Sequence, residues 1–381
     1  MRAWRASFHQ EPELSGEEHR TRDKIVRALG EIGVAATSLP GKLPAVVGLI
    51  QAGAPGPVVA LRADMDALPI EEATELSFRS RRPGVMHACG HDVHLASLLG
   101  AALLLTREPS ALGGPVKLLF QPAEEDGTAG GAGPMIELGC LDRPKVDFVV
   151  GQHVDPGLPL GRIGWGIGPF MAAADSFFVT VRGRGGHASS PQQGPDAVLV
   201  ASEIVTGLQA LASRVRDPCD PVVVSVGSIH GGTRHNILPD TVRLEGTVRT
   251  VRAETRDVLE AALKRRVRSI AASLGATVTI RYLRGYPALI NPPEATTAVV
   301  RALEVEFGRA ALVEVDRPLM GAEDFARFLE KVPGTFLRLG VGGAGPPASL
   351  HSSTFAPDER AMVVGAATLA AAAVGLQHGR Q

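Results

Sequence analysis

One short segment of the sequence holds four side chains of the kinds that bind transition metals. They fall within eight residues, in the run HACGHDVH: His87, Cys89, His91 and His94. Thiolate and imidazole ligands suit zinc, cobalt or a similar ion, and nearby carboxylates widen the choice towards manganese. An isolated Cys-x-His is more often a buried free cysteine beside unrelated histidines. The segment therefore predicts a metal site only when other parts of the chain supply further ligands.

Three apolar runs are each followed by polar side chains that could complete such a site. The run ending at Ala63 is followed by Asp-Met-Asp, the run ending at Phe120 by Gln-Pro-Ala-Glu-Glu, and the run ending at Val150 by Gly-Gln-His. Ligand sites in open parallel sheets lie beyond the carboxyl ends of the strands. Neighbouring parallel strands would therefore bring these acids and His153 to one edge of a sheet.

Two adjacent carboxylates, Glu124 and Glu125, suggest two different chemical roles. On an extended segment, neighbouring side chains point to opposite sides, so one carboxylate could bind metal while the other faces a water molecule as general base. The alternative is a solvated acidic loop. Pro122 and the strand before it weaken that alternative, because they would hold the loop at the sheet edge.

The elements that must position these groups alternate between strand and helix patterns. Ser15 and Glu18 have the spacing of a capping box before a first helix that Gly33 can end. Further helices are predicted at 94–106 and from about 358, and strands at 46–50, 58–63, 116–120, 146–150 and 335–339. Short, continuously apolar strands that alternate with helices predict an α/β fold with a mostly parallel sheet covered on both faces.

The pattern changes near residue 172. Strands are predicted at 175–182, 222–229, 241–250 and 277–283, and helices at about 195–215 and 253–274. The order β-α-β-β-α-β is that of a ferredoxin-like α+β unit. We therefore expect an inserted domain at 172–285 within a discontinuous catalytic, metal-binding domain at 1–171 and 286–381.

Composition excludes several other classes of protein. Lys plus Arg number 39 and Asp plus Glu 40, so a formal net charge of −1 makes the chain a poor candidate for binding nucleic acid. Three scattered cysteines, Cys89, Cys140 and Cys219, make no disulfide framework, and the opening residues show no signal-peptide pattern. The longest apolar stretches are too short for a membrane span. We therefore expect a cytoplasmic protein with neither nucleic-acid nor membrane partners.

Nine segments, in one order along nearly the whole chain, resemble the M20 metallopeptidase clan. The resemblance is to its amidohydrolase branch of aminoacylases, hippurate hydrolases and auxin-conjugate hydrolases. The segments are PELSGEE at 12–18, RADMDALPIEE at 62–72, MHACGHDVHLA at 86–96, FQPAEE at 120–125, GQHVDPGLPLG at 151–161, GRGGHASSP at 183–191, RHNILPD at 234–240, GAEDFA at 321–326 and LHSSTFAPDE at 350–359.

This resemblance implies a two-metal catalytic domain with an inserted lid and dimerisation domain. It implies five metal ligands: Cys89, His91, Glu125, His153 and His351. It also implies that Glu124 is the general base. The two divalent ions would be manganese, zinc, cobalt or nickel. The implied reaction is hydrolysis of small N-acyl amino acids, by a homodimer or a larger homo-oligomer.

The resemblance extends to the inserted domain. It implies that His187 stabilises the oxyanion, in relatives often across a dimer interface, and that Asn236 and Arg249 lie near the substrate carboxylate or carbonyl. The chain departs from the family at Asp155, where relatives usually carry an aromatic residue, which would alter the substrate wall. Relatives without a cysteine ligand carry His-x-Asp near Asp64, so Asp64 is expected to support the site rather than to bind metal.

Four alternatives stay open. The chain could be a metallo-carboxypeptidase or dipeptidase of the same family, or a catalytically silent binding paralogue. Cys89 could instead be a nucleophile with His91 or His94 as its base, although that leaves both glutamates and His153 without a role. Glu323-Asp324 could be part of the site, or could simply place negative charge at the start of a helix.

Overall fold

The computed structural model describes residues 1–215, 217–343 and 349–379. The chain divides into two units. The first comprises Met1–Gly168, Ile290–Arg317 and Asp324–Gln381, and the second comprises Pro169–Leu289 and Pro318–Glu323.

The described residues form strands and helices in the following order along the chain. The strands are β1 Ala35–Ser38, β2 Val46–Ile50, β3 Val59–Asp64, β4 Val116–Gln121, β5 Phe148–Pro159, β6 Ile163–Trp165, β7 Gly168–Met171, β8 Ala173–Arg182, β9 Gly186–His187, β10 Val222–His230, β11 Ile237–Leu238, β12 Thr241–Thr250, β13 Thr277–Arg284, β14 Leu289–Asn291, β15 Leu312–Glu314 and β16 Gly334–Gly342. The helices are α1 Arg2–Gln10, α2 His19–Ile32, α3 His91–Arg107, α4 Ala132–Glu137, α5 Ala197–Arg214, α6 Ala253–Ser273, α7 Pro293–Phe307, α8 Ala326–Leu329 and α9 Ala361–His378.

An eight-stranded sheet forms the centre of the first unit. Its strand order is β1-β2-β4-β3-β5-β16-β6-β15. The four strands β4, β3, β5 and β16 are parallel neighbours, which confirms the predicted mostly parallel sheet. The predicted strand at 46–50 is β2, and it runs antiparallel to β4. Every residue of β3 and β4 is buried, including Arg62 and Lys117, which explains why these strands do not alternate between apolar and polar residues.

The helix α3 is buried on almost all sides. It begins at His91, three residues before the predicted start, because Gly90 adopts a left-handed conformation with φ 85° and turns the chain into the first helical turn. It packs together with α9 in the apolar core of the first unit. Among the described residues, only α9 has the length and hydropathy of a membrane span, and 56% of it is buried, as in the core helix of a globular domain.

The predicted capping box at the first motif is wrong. The side chain of the N-cap residue, Glu18, does not cap α2; instead the carboxylate of Glu13 caps its first turn by accepting hydrogen bonds from the backbone and hydroxyl of Thr21. Ser15 and Glu18 bind other parts of the chain. The predicted end of the helix is confirmed, because Gly33 adopts the left-handed conformation with φ 87°.

The sequence also gave no sign of α1, at the very start of the chain. Its buried face includes Arg5 and His9 beside Phe8. Because charged side chains occupy the inward positions, the apolar periodicity that indicates a helix is missing.

The second unit contains a four-stranded antiparallel sheet in the order β10-β12-β8-β13. The helices α5 and α6 share a buried apolar cluster with the inward side chains of β8, such as Phe177 and Val179. Leaving aside the short β9 and β11, the element order is the predicted β-α-β-β-α-β. The unit also includes Pro318–Glu323, beyond the predicted span of 172–285, because the amide of Ala172 donates to the carbonyls of Leu319 and Gly321.

Candidate metal centre

The parallel strands of the first unit bring the predicted polar residues to one edge. The register places Asp64 of β3 beside Gln121 of β4, and His153 of β5 beside Arg338 of β16. The segment after β4 carries Glu124 and the helix after Gly90 carries His91. The sheet therefore does what the sequence predicted, which is to gather groups that lie far apart along the chain.

The side chains of all five predicted ligands meet at this edge. Sγ of Cys89 lies 3.3 Å from Nε2 of His153 and 3.3 Å from Nε2 of His351. Oε1 of Glu125 lies 3.1 Å from Nε2 of His351 and 3.9 Å from Nε2 of His91. A thiol, three imidazole nitrogens and a carboxylate thus face one another.

Backbone carbonyl groups fix the orientation of two of the imidazole rings. Nδ1 of His91 lies 2.9 Å from the carbonyl oxygen of Asp66, and Nδ1 of His153 lies 2.8 Å from that of Val154. A carbonyl oxygen can only accept a hydrogen bond, so Nδ1 carries the proton in each ring. In the neutral rings the Nε2 atoms therefore present lone pairs to the cluster, in the arrangement typical of metal-binding histidines.

These residues fit divalent cations. Nε2 of His91 is buried and has no hydrogen-bond partner within the described parts of the chain. Ligand atoms of Cys89, His91 and His153 lie within 4.8 Å of one another, as do those of Cys89, Glu125 and His351 and those of His91, Glu124 and Glu125. Mixed thiolate, imidazole and carboxylate ligands are typical of zinc, cobalt and related ions.

The electrostatics of the cluster also favour a cation. Burial and the negative charges of Glu125 and Glu124 raise the pKa of the Cys89 thiol well above its usual range. Burial opposes protonation of His91, but the carboxylates of Asp64 and Asp66 outweigh it and raise the pKa of His91 to about 10. Both groups thus retain protons in the metal-free protein, and a divalent cation would take the place of those protons.

The two glutamates do not lie on an extended segment, as the sequence suggested. Glu124–Asp126 is a single turn of 3-10 helix, entered through Ala123 in the left-handed conformation with φ 57°. The chain turns at Ala123, so the carboxylates of Glu124 and Glu125 approach the same imidazole, that of His91, rather than pointing apart. Glu124 is buried, with 7% of its surface exposed.

Two residues of this site have strained backbone conformations. Among the described residues other than glycine, only Ala123 and His351 have positive φ angles, 57° and 62°. The amide of His351 donates to the carbonyl of Ala88, next to the thiol ligand. Non-glycine residues held in the left-handed region cluster at functional sites, where the surrounding structure enforces them.

Sequence reasoning placed Asp66 at this edge but did not predict that it links two parts of the site. Oδ2 of Asp66 accepts hydrogen bonds from the amide of Glu125 at 2.8 Å and from the hydroxyl of Ser15 at 2.7 Å. Its Oδ1 lies 3.2 Å from Nδ1 of His91. The second acid of the Asp-Met-Asp run after β3 was the available signal, but only tertiary contacts reveal which groups it holds.

The acids of the GAEDFA segment have a structural function at Asp324. Its carboxylate accepts hydrogen bonds from Arg62, from Gln121 and from the amides of Gly131 and Ala132. The negative charge of Asp324 does lie at the start of a helix, which was one of the two alternatives predicted for Glu323-Asp324. The helix is α4 rather than the one that follows Asp324 in sequence.

Asp155, where the sequence departs from the family, pairs with an arginine of the next strand. Its Oδ2 lies 3.8 Å from a guanidinium nitrogen of Arg338, and its Oδ1 accepts from the amide of Gly157. Because Asp155 is two residues beyond His153 on β5, both side chains point to the same face of the sheet.

The other predicted residues lie in the second unit, and the structure brings two of them together. Gly186 and His187 of β9 pair with β11, and the amide of Ala188 donates to the carbonyl of Asn236 at 3.1 Å. His187 is exposed, and its Nδ1 accepts from the amide of Ser189.

Arg249 does not join them. The β12–β8 ladder pairs Thr241 with Arg182 at the end next to His187, and Arg249 with Ala174 towards the other end. Eight residues separate Thr241 from Arg249 along β12, which is roughly 27 Å at ~3.4 Å per residue. Burial lowers the pKa of Arg249, which is half-buried.

Comparison with known proteins gives consistent matches. Residues 60–374 match the family model described as peptidase family M20/M25/M40. Thermostable carboxypeptidase 1 of Saccharolobus solfataricus is 41% identical over 373 residues, which is 97% of this chain and 93% of that protein. N-acetyl-L-cysteine deacetylase of Bacillus subtilis is 41% identical over 360 residues, covering 94% and 84%. A Bacillus subtilis crystal structure described as a dinuclear metal binding peptidase from the M20 family matches with a TM-score of 0.85 and 35% identity, covering 98% and 97%.

Proposed function

Because this chain belongs to peptidase family M20/M25/M40 and is a hydrolase, we propose that it cleaves the amide bond of N-acyl amino acids. The products are the free acid of the acyl group and a free amino acid. The observation that supports this most strongly is the convergence of one thiol, three imidazoles and two carboxylates at a single sheet edge.

Five side chains would hold two divalent cations, which we take to be manganese, zinc, cobalt or nickel. They are Cys89, His91, Glu125, His153 and His351. When bound, such ions polarise an acyl carbonyl and lower the pKa of water, so that a nucleophile forms near neutral pH. The ring orientations of His91 and His153 are set in advance by their Nδ1–H bonds to backbone carbonyls, so little reorganisation accompanies binding.

Glu124 would be the general base. Its carboxylate takes a proton from the attacking water, while the remaining hydroxide oxygen bonds to the acyl carbon. The same carboxyl then returns the proton to the amide nitrogen as the carbon–nitrogen bond breaks and the amine leaves. Burial of Glu124 keeps bulk water away from this transfer, and the turn that carries it is anchored at both ends.

We assign His187 to the oxyanion, and Asn236 and Arg249 to the substrate carboxylate or carbonyl. The first two lie at one end of the four-stranded sheet and Arg249 towards the other. One rigid sheet cannot bring both ends to one small substrate. The simplest arrangement is therefore a homodimer in which each site takes His187 and Asn236 from one copy and Arg249 from the other.

The surface of the second unit suggests how two copies would pair. β10 is an edge strand of the sheet, and within the described part of the chain no other strand pairs with its outer side. Ile229 on β10 is exposed, as are Val198 and Leu199 on α5. Exposed edge strands with apolar side chains pair readily with a second chain, so we propose that β10 and α5 form the dimer interface.

We also propose that the protein functions in a reducing compartment such as the cytoplasm. Cys89, Cys140 and Cys219 are all free thiols. A thiolate ligand must stay reduced to bind metal, and thiols persist where glutathione and thioredoxin keep them reduced.

A second candidate function is metallo-carboxypeptidase activity, because the Saccharolobus relative carries that name and matches 97% of this chain. One panel of substrates separates the two. N-acetyl and N-benzoyl amino acids would be compared with peptides that have a blocked amino terminus and a free carboxyl terminus, each with and without chelator. Metal-dependent release of amino acids from the acyl compounds supports the proposal. Turnover of the peptides alone would replace it with the second function, and no metal-dependent turnover of either would contradict both.

A further inference from the structure

The segment 13–18, part of the first sequence motif, lies against the loops of the metal centre. The amide of Ala67 donates to the carbonyl of Glu13 at 2.8 Å, and Leu14 forms an isolated parallel bridge with Ala67. Glu13 caps the following helix, whereas Ser15 and Glu18 do not. Glu18 binds the turn that carries the two glutamates, and Ser15 binds Asp66, which also binds that turn.

Glu18 holds the residue that enters this turn. It is completely buried, and its Oε1 accepts a hydrogen bond from the amide of Ala123 at 2.7 Å, across 105 residues of sequence. Ala123 has φ 57° and ψ 38°, a left-handed conformation that disfavours any residue with a side chain. A turn of this kind persists only when outside contacts hold it.

The residue that follows Glu124 is also held by a carboxylate. The amide of Glu125 donates to Oδ2 of Asp66 at 2.8 Å, and the hydroxyl of Ser15 donates to the same oxygen. Carboxylates therefore accept hydrogen bonds from the amides of both residues that neighbour Glu124. Asp66 also lies next to His91, so of these two anchors it is the one at Ala123 that acts on the glutamates separately from the histidine ligand.

We propose that Glu18 is a positioning residue, which places the carboxylates of Glu124 and Glu125 by fixing the backbone of Ala123 in its left-handed conformation. The inference rests on the proposed function, because it gives Glu18 a role through the general base and a metal ligand. It goes beyond that function by assigning a task to the amino-terminal motif.

The chemical state of Glu18 suggests an informative variant. Burial and the negative charge of Asp66 raise the pKa of Glu18 to about 8, so the side chain is largely uncharged at neutral pH. A glutamine amide is also uncharged, has nearly the same shape, and offers a carbonyl oxygen to the same N–H group. An alanine leaves that buried N–H group without a partner.

The experiment compares Glu18→Ala and Glu18→Gln with Glu17→Ala, which removes an exposed glutamate one position away. Three quantities are measured: hydrogen exchange of the peptide spanning 121–131, affinity of the metal-free protein for Zn²⁺ and Mn²⁺, and kcat and KM on an N-acetyl amino acid. In Glu18→Ala we expect faster exchange at 123–126, metal affinity lower by about tenfold or more, and a fall in kcat with little change in KM. Glu18→Gln and Glu17→Ala should resemble the parent protein.

Exchange in the turn and metal affinity need no substrate, so they test the inference even if no amide is cleaved and the proposed function fails. A folded Glu18→Ala protein with the exchange of the turn or the metal affinity unchanged overturns the inference. If Glu18→Ala does not fold, Glu18→Asp takes its place, because a carboxyl one methylene shorter cannot reach Ala123 from the same backbone. The expected changes in exchange and in metal affinity are smaller in Glu18→Asp than in Glu18→Ala, and their absence would likewise overturn the inference.

Discussion

Nδ1 of His94 lies 2.6 Å from Oδ1 of Asp64, and Nε2 of the same ring accepts a hydrogen bond from the amide of Val154 at 2.9 Å. Burial lowers the pKa of His94 to about 4, so the ring is neutral and carries one proton. That proton lies on Nδ1, because Nε2 is an acceptor. Both ring nitrogens of His94 therefore have hydrogen-bond partners within the protein. His94 lies on the same helix as His91, but its ring orients Asp64 and is not among the proposed metal ligands.

The two histidines of this helix should consequently differ in their effect on metal content. We expect His91→Gln to bind less metal, with affinity at least about tenfold weaker, and His94→Gln to keep the same number of ions per chain with at most a modest loss of affinity. Elemental analysis and titration of the metal-free proteins measure both. Equal loss of metal from the two variants would show that His94 is itself a ligand.

Replacing the proposed base should separate catalysis from metal binding. We expect Glu124→Gln to lower kcat by roughly 10²-fold to 10⁴-fold, the usual contribution of a general acid–base group, while metal content stays the same. Glu137→Gln, an exposed substitution at the end of α4, provides the control. Full activity in Glu124→Gln would exclude the proposed role.

Chelation distinguishes a metal-dependent reaction from a cysteine nucleophile. Because burial raises the pKa of Cys89 in the metal-free protein, its thiol is a weak nucleophile there. We expect activity to disappear after dialysis against chelator and to return when Zn²⁺, Mn²⁺, Co²⁺ or Ni²⁺ is added. Activity that survives complete metal removal but is lost on thiol alkylation would favour Cys89 as nucleophile.

Stability should fall at alkaline pH through His9. Its Nδ1 lies 3.0 Å from Oδ2 of Asp92 and its Nε2 lies 3.1 Å from Oε1 of Glu72. Burial opposes protonation of this ring, but Asp92 and then Glu72 outweigh it and raise the pKa of His9 from 6.5 to about 9. The stabilisation is complete below pH 6.5 and is lost as the pH rises through 9, because the native state alone keeps the proton in that window.

The pH experiment follows the free energy of unfolding of the metal-free protein in urea from pH 6 to 9.5. We expect His9 to contribute a decrease of up to about 1.4 kcal/mol per pH unit, which the His9→Gln variant lacks. His19→Gln, which alters an exposed histidine, serves as the control. An identical pH profile in the parent protein and His9→Gln would contradict this prediction.

Mixing two inactive variants tests whether the site is shared between copies. If His187 acts on the site of a neighbouring copy, then a His187→Ala chain paired with a Glu124→Gln chain contains one complete site. We expect each variant alone to be nearly inactive, and the refolded mixture to regain up to about a quarter of the parent activity, since half of the dimers are mixed and each has one complete site of two. Two Glu124→Gln preparations mixed in the same way are the control. If no activity returns although mixed dimers form, His187 acts within its own chain.

Local sequence patterns predicted the architecture and several of the clustered groups, whereas His351 was implied only by the family resemblance. Strands β3 and β4 are mostly apolar because they are buried along their whole length, and the polar residues at and after their ends mark the edge where a site can form. The spacing of Cys89 and His91 and the adjacent pair Glu124-Glu125 are also local features, so they could be recognised in the sequence. In a chain that alternates between buried strands and short polar loops, the positions of those loops in the sequence predict which residues lie at the sheet edge.

The sequence alone determined that a metal-binding group of thiol, imidazole and carboxylate side chains lies at the edge of a parallel sheet, because strand ends and ligand types are local properties. The tertiary structure decided which side chains serve it and how. It turned Ser15 and Glu18 from helix caps into anchors, occupied both nitrogens of His94, and separated Arg249 from His187. Each of these outcomes depends on hydrogen bonds and strand registers between residues far apart in the chain, and no local pattern encodes them.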